Sequence, residues 1–260
     1  MNQNKTAFII IAYHPKLKEL HTLLARLAKY PTIIIDNGGT LTLDDVGRAT
    51  LLSQSKNLGY GAAANIGIHH ASGIGAKWFV ILNQDILFSE HSASELVSLL
   101  RKLTPCVAGP FSAGLDQSRW TTILPSDRTD YLTGSCIAIH ERIVGKIGYF
   151  YEQYFLYYED ADYCVRARNA GYPLTHITIS GMAHEESASL GRGSRLHQYY
   201  LARNHMLFVR RLAPTPVKFY EFFRLLKTIA EHITRREKSA LIGLRDFAIG
   251  RFGMHKGRWA

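Results

Sequence analysis

Short runs of β-branched and aliphatic residues alternate with helical periods through the first half of the chain, as in βαβ units that feed a mainly parallel sheet. Residues 7–12 read as the first strand. A helix follows over 16–29, where Leu17, Leu20, Leu24 and Leu27 recur on one face, and Pro31 precedes a second strand at 32–35. A third strand at 51–54, a helix opening near 61–65 and a buried central strand at 78–82 continue the alternation. The central strand stops abruptly at Asn83-Gln84-Asp85. Open α/β sheets take their ligands beyond the carboxyl ends of the strands, so the pattern places a site there.

From about Cys106 the alternation weakens, leaving strands at 107–111, 136–140 and 174–179 and a short helix at 159–170 closed by Gly171. After Gly193 the chain turns helical, over 194–211, 216–236 and 238–252. The expected class is α/β: a Rossmann-like, mainly parallel central sheet flanked by helices, with a C-terminal helical extension. The simplest partition is one α/β domain over 1–212 and a basic amphipathic extension over 213–260. The longest early apolar run, Phe8 to Tyr13, falls far short of the roughly 20 residues of a membrane helix, and the expected location is the cytoplasm.

Composition adds a core and subtracts disorder, because 47% of the 260 residues are hydrophobic. Cys106, Cys136 and Cys164 form no C-x-x-C pair and read as buried thiols. Charge changes the picture more. Residues 192–260 carry 15 Lys and Arg against 4 Asp and Glu, whereas the rest balances 16 against 17, so the net +10 belongs to the C-terminal quarter. Such a patch calls for an anionic partner. Within it, 216–236 sets Phe219, Phe222, Phe223, Leu226, Ile229 and Ile233 along one helix face, with Lys218, Glu221, Lys227 and Glu231 elsewhere. That face either packs on the α/β domain or on a second subunit, giving a homodimer, or lies on an anionic membrane surface. Nucleic acid fits poorly, since no nucleic-acid-binding motif accompanies the patch.

Candidate chemistry clusters at the ends of elements. Asp36 and Asp85 follow apolar strands that would otherwise bury a carboxylate at a cost of several kcal/mol. Asp36, in Asp-Asn-Gly-Gly, reads equally well as a turn residue. Asn83 and Asp85 form an i, i+2 oxygen pair that suits Mg²⁺ or Mn²⁺ shared with a substrate diphosphate. Glu159, Asp160 and Asp162 crowd the start of a helix, where one acid suffices for capping, and three flanked by tyrosines point to a general base. His184 is a candidate metal or diphosphate contact, with a structural role as the alternative. The stretch Asn57-Leu58-Gly59-Tyr60-Gly61 through Asn65 and Gly67 permits close backbone approach and opens a helix that favours anions. It is not a P-loop, because no Gly-Lys-Ser/Thr follows.

Taken in order, Ile34 to Gly38, Asn57 to Gly61 with Ala64 to Gly67, Asn83-Gln84-Asp85, Thr133-Gly134-Ser135, Glu159-Asp160-Ala161-Asp162, His184 and Arg203-Asn204 resemble the family 2 glycosyltransferases of the GT-A fold, in their rhamnosyltransferase-like branch. The likeness spans about residues 6–212. It implies a single-sugar inverting transfer from a nucleotide-diphosphate sugar, leaning to dTDP-rhamnose, onto a growing, lipid-linked surface polysaccharide such as O-antigen. The enzyme would then work in the cytoplasm, peripherally on the inner membrane. By that resemblance Tyr13 and Asp36 hold the base, and Asn57, Gly61 and Asn65 shape the wall beneath it. Asp85 ligates the divalent metal beside Asn83, His184 assists it, and Asp160 is the catalytic base. Gly134, Ser135, Glu159, Asp162 and Arg203 stand as acceptor-side or phosphate candidates. The usual Asp-x-Asp appears here as Asn83-Gln84-Asp85, with one anionic ligand replaced by an amide. A non-catalytic nucleotide-sugar or glycan binder, and a sugar-nucleotide pyrophosphorylase, are the rival readings.

Overall fold

The computed structural model describes residues 5–123, 126–184 and 193–257, with His184 described by its backbone alone. Along the chain run β1 (Thr6–Ala12), α1 (Leu17–Leu27), β2 (Thr32–Asp36), α2 (Leu43–Val46), β3 (Thr50–Ser53), α3 (Tyr60–Gly73), β4 (Trp78–Asn83), β5 (Ile86–Phe88) and α4 (Ser92–Leu100). They are followed by β6 (Val107–Gly109), β7 (Ser112–Leu115), β8 (Thr122–Ile123), β9 (Tyr131–Leu132), β10 (Cys136–His140), α5 (Glu141–Ile147) and α6 (Glu159–Asn169). The rest comprises β11 (Leu174–His176), β12 (Met182–His184), α7 (Arg195–Leu212), α8 (Thr215–Thr234) and α9 (Lys238–Ala248).

Seven strands form the central sheet in the order β11-β6-β10-β4-β1-β2-β3. β10 alone runs against its neighbours, and the others share one direction, so the expected mainly parallel α/β class holds. The period of two along the strands divides the core between the faces. Ile9, Ile11, Phe79 and Ile81 pack with α3 and α6, while Phe8, Ile10, Val80 and Leu82 pack with α1 and α4. Such strands, buried on both sides, read as continuous apolar runs.

Two small sheets stand at the carboxyl end of the large one. β5 pairs with β12, setting Ile86 opposite His184, and β7 pairs with β8 and β9. The strand expected over 174–179 stops at His176, and that over 107–111 at Gly109.

The two helices that follow α7 meet the rest of the protein differently. α9 lies so close to α7 that a Cβ at Gly243 would collide with the Tyr199 carbonyl. α8 turns Val217 and Glu221 to the protein, Glu221 being 1% exposed and paired with Arg119 at 2.8 Å, while Arg224 pairs with Glu231 along the helix itself. Of the expected apolar face, Phe219, Phe222, Phe223, Leu226 and Ile233 are 58–79% exposed and Ile229 alone is half-buried, so most of this face does not pack on its own α/β domain. Among the described residues, no helix is long and apolar enough to cross a membrane.

Candidate active site

Parallel strands deliver their carboxyl ends to one edge, where peptide groups run out of ladder partners and side chains must close the gap. β1 ends beside Tyr13, whose ring is 40% exposed. The Gln84 amide grips the Tyr13 peptide from both sides, accepting from its N–H at 2.6 Å and donating to its carbonyl at 3.2 Å. Beneath that ring runs the Asp36-Asn37-Gly38 turn, and a Cβ at Gly38 would touch Tyr13 at 3.4 Å. Asn37 carries this turn to the next loop: it donates to Asn57 Oδ1 at 3.0 Å and accepts from Leu58 N–H at 2.9 Å. The Asn57 oxygen also takes the Gly59 N–H at 2.8 Å.

Asp85 follows β4, is 8% exposed and precedes β5, whose Ile86 faces His184 across the β5–β12 pair. Asn83 is half-buried, and its N–H donates to the Ser135 carbonyl at 3.0 Å. Thr133-Gly134-Ser135 therefore sits directly against the strand end. On its other side the Gly134 N–H donates to Asp160 Oδ2 at 2.9 Å, and the Tyr60 hydroxyl donates to the Gly134 carbonyl. A Cβ at Gly134 would press into the Tyr60 ring at 3.0–3.2 Å. One three-residue loop thus joins the Asn83–Asp85 edge to Asp160.

Asp160 stands in the first turn of α6, partly exposed, with its second oxygen on the Ala161 N–H at 2.8 Å. Burial raises its pKa above the usual aspartate value, and the Gly134 and Ala161 N–H groups work against that rise. Glu159 beside it is 6% exposed, and its buried Oε2 has no hydrogen-bond partner. Burial first, and the Asp160 charge second, push the Glu159 carboxyl well above its ordinary range.

The Glycosyl transferase family 2 profile matches residues 8–170, which embraces every strand and loop of this edge up to α6. The chain belongs to glycosyltransferase family 2. Among its curated relatives is the dTDP-rhamnosyl transferase RfbF of Shigella flexneri, 24% identical over 242 residues, covering 81% of each chain. Another is the N-acetylglucosaminyl-diphospho-decaprenol L-rhamnosyltransferase of Mycobacterium tuberculosis, 25% identical, covering 74% of this chain and 78% of that one. Of solved structures, the mannosyltransferase PcManGT from Pyrobaculum calidifontis, in complex with GDP-Man and Mn²⁺, superposes with a TM-score of 0.59 at 15% identity, over 94% of this chain and 75% of that one. TarS from S. aureus with UDP-GlcNAc gives 0.59 at 13% identity, over 94% and 80%. At these identities the structures testify to the shared GT-A fold.

Several candidate residues of this glycosyltransferase are spent on holding the scaffold. Asp36 is fully buried, and its oxygens take the N–H groups of Gly38 at 3.2 Å and Leu41 at 2.8 Å, the turn role its sequence context also allowed. Asp162 is likewise sealed: Arg166 at 2.6 Å, Arg211 at 3.0 Å and the Tyr154 hydroxyl at 3.0 Å occupy both oxygens. It therefore meets neither acceptor nor phosphate from this position. Arg203 is also fully buried, donating to the carbonyls of Tyr154 and Gly253 at 2.7 Å, so it too is corrected from phosphate contact to scaffold. Asn65 clamps Phe150 through both backbone groups, and Gly61 lets α3 approach Phe150 and Glu159. Ser135 is buried, its hydroxyl 2.7 Å from Thr133 Oγ1. The His184 side chain lies outside the described residues.

Sequence reasoning passed over Asn37, Gln84 and Tyr60, whose work is to join loops 20 to 74 residues apart. It also passed over the backbone before α6. Phe155, Tyr157 and Tyr158 all take positive φ, of 66°, 67° and 74°, a cluster of left-handed non-glycine residues directly ahead of the acids. The Asn204 amide donates to the carbonyls of Tyr154, Leu156 and Tyr157 at 2.9, 2.6 and 3.0 Å and so holds that segment from α7.

Proposed function

We propose that this glycosyltransferase transfers one sugar from a nucleoside-diphosphate sugar to a hydroxyl of a lipid-linked glycan by a single inverting displacement. The observation that carries this reading is the loop Thr133-Gly134-Ser135, which fixes Asp160 on one side and the Asn83–Asp85 strand end on the other. An activated sugar lying across that loop would meet a base at one end of its anomeric bond and a phosphate-binding edge at the other. Asp160 takes the proton of the incoming hydroxyl as the acceptor oxygen bonds to the anomeric carbon, and the bond to the diphosphate breaks on the opposite face. One displacement inverts the configuration. The raised Asp160 pKa makes it a stronger base than a free aspartate, and the Gly134 and Ala161 N–H groups aim it.

The oxygen donors at the other end, the Asp85 carboxylate and the Asn83 amide oxygen two residues earlier, are of the kind a hard divalent cation takes. When bound there, Mg²⁺ or Mn²⁺ neutralises charge that builds on the departing diphosphate. Tyr13 would stack on a nucleotide base, a role its exposure over the Asp36–Gly38 turn supports. The rhamnosyltransferase relatives favour dTDP-rhamnose as donor, and the decaprenol-diphosphate substrate named for one of them favours a lipid-linked acceptor.

Asp160→Asn tests the base directly. The expected outcome is loss of transfer, roughly 10²–10⁴-fold by the worth of general base catalysis, with sugar-nucleotide binding retained in calorimetry. Near-normal turnover in this variant removes the assignment. Binding of sugar nucleotides by the wild type without turnover on any acceptor would favour the non-catalytic binder.

A further inference from the structure

α8 is turned inside out for a helix in water. Its outward face carries Phe219, Phe222, Phe223, Leu226 and Ile233, all largely exposed, while Val217, Glu221, Arg224 and Thr228 point inward and Ile229 is half-buried at the edge. A helix on a protein surrounded by water is expected to bury its apolar stripe. Here a mainly polar stripe that starts at Val217 is buried instead, even though Arg224 Nε and Thr228 Oγ1 gain no hydrogen bond by it. The orientation is pinned by Arg119–Glu221 at 2.8 Å and by Val217, buried beside Val209 and Ala213. Something other than water is therefore expected to meet the outer face.

Charge decides which occupant fits. At 100° per residue, Lys218 and Lys227 fall on either flank of the apolar stripe, both exposed, and Arg235, Arg236 and Lys238 are exposed where α8 ends. All four acids of the tail are drawn into pairs within the protein: Glu221 with Arg119, Glu231 with Arg224, Glu237 with His232 and Asp246 with Arg245. The face thus presents aromatic and aliphatic side chains edged by cations, with its own anions turned away. A second copy docked face to face would bring like charges together. An anionic bilayer surface accepts both features at once, taking the rings among its acyl chains while the lysine stems reach the phosphates.

We propose that the outer face of α8 is a membrane-docking surface, through which the protein sits on an anionic lipid bilayer. The inference rests on the orientation of α8 and is independent of the transferase reading. Its test is flotation of the full chain with phosphatidylcholine vesicles, with and without phosphatidylglycerol, in the absence of any sugar nucleotide. Sedimentation velocity on the same preparation reports its size. The expected result is a monomer that floats with phosphatidylglycerol vesicles only and dissociates as salt is raised. Phe223→Ser with Leu226→Ser, at sites open to solvent, should weaken partition at least ~10-fold while leaving thermal unfolding unchanged. Lys218→Gln with Lys227→Gln should weaken it roughly fivefold per lysine while leaving the apolar face intact. Equal flotation with and without phosphatidylglycerol overturns the proposal, as does flotation with neither. So does a dimer that the Phe223/Leu226 pair of substitutions converts to monomer. A protein that floats but transfers nothing would separate this inference from the proposed function.

Discussion

Asn204→Ala tests how α7 holds the turn ahead of the proposed base. Three carbonyls converge on one amide nitrogen, and its oxygen accepts from Arg203 Nε at 2.9 Å. On truncation the Tyr154 carbonyl keeps Arg203 at 2.7 Å, but those of Leu156 and Tyr157 lose their side-chain donor. An unsatisfied buried polar group costs about 1–3 kcal/mol, so two, in a partly open position, come to about 2–4 kcal/mol. That is a large share of the ~5–15 kcal/mol that keeps a domain folded. The same bonds hold Phe155, Tyr157 and Tyr158 in left-handed backbone that costs on the order of 1–3 kcal/mol per residue. Once released, the segment relaxes and carries Tyr158 and the start of α6 with it.

Urea unfolding should show the stability loss. Initial-rate kinetics should show kcat down by roughly 100-fold, as expected for a displacement of about 1 Å at a reacting group, with donor KM little changed. Asn204→Asp should be worse than alanine in both assays, because it sets a carboxylate against carbonyl oxygens. If Asn204→Ala unfolds within about 0.5 kcal/mol of wild type, the carbonyls are satisfied without the amide and the argument fails.

Glu159→Gln should gain melting temperature relative to wild type as pH rises from about 4 to about 8. A carboxyl whose folded pKa lies above its ordinary 4.5 contributes stability below that value and loses it as pH rises, whereas glutamine does not titrate; parallel pH profiles would mean that Glu159 is not held neutral. Gly59→Ala should cost at least ~2 kcal/mol in chemical denaturation, since φ is 85° and the new Cβ would strike the Phe155 carbonyl; a neutral effect would contradict the close approach of α3 to that loop. Asp85→Asn should abolish the extra thermal stabilisation that Mn²⁺ adds to a bound sugar nucleotide, and an undiminished Mn²⁺ effect would remove Asp85 from the metal.

The elements that could be read from the sequence were those with enough residues to show a period. β1, β2, β4 and β10 are apolar runs of five to seven residues and lie within one or two residues of their expected bounds. β8 and β9 have two residues each, β5 and β12 three, and none offers a repeat to detect. α2 is a four-residue turn made by a capping box from Thr42 to Asp45, a signal of local hydrogen bonding and not of periodicity. Asp85 and Asp160 stood out because acids directly after a buried strand or at a crowded helix start need a reason to be there. Asn37, Gln84 and Tyr60 did not, because an amide or phenol that joins distant backbone leaves no mark near its own position. Periodicity found the apolar stripe of α8 but carries no information about which way a stripe faces.

The acids at the start of α6 pose an electrostatic problem, since three carboxylates within four residues repel one another and only one is needed as a base. The structure solves it by giving each a different environment. Asp162 is sealed but held by two guanidinium groups and a phenol, so its charge is balanced inside the core. Glu159 is buried with one oxygen unpartnered, and the nearby Asp160 charge adds to the cost of ionising it, which favours its neutral form. Asp160 alone combines partial exposure with two N–H donors, and two such donors favour a carboxylate over an acid. Of the three, it is the one that is both reachable and supported by N–H donors that favour its charged form. Arg211, which steadies Asp162, and Asn204, which steadies the carbonyls ahead of Glu159, both stand on α7. α7 lies beyond the family-matched segment of 8–170, so a truncation that kept that segment intact would still leave the proposed base without its support.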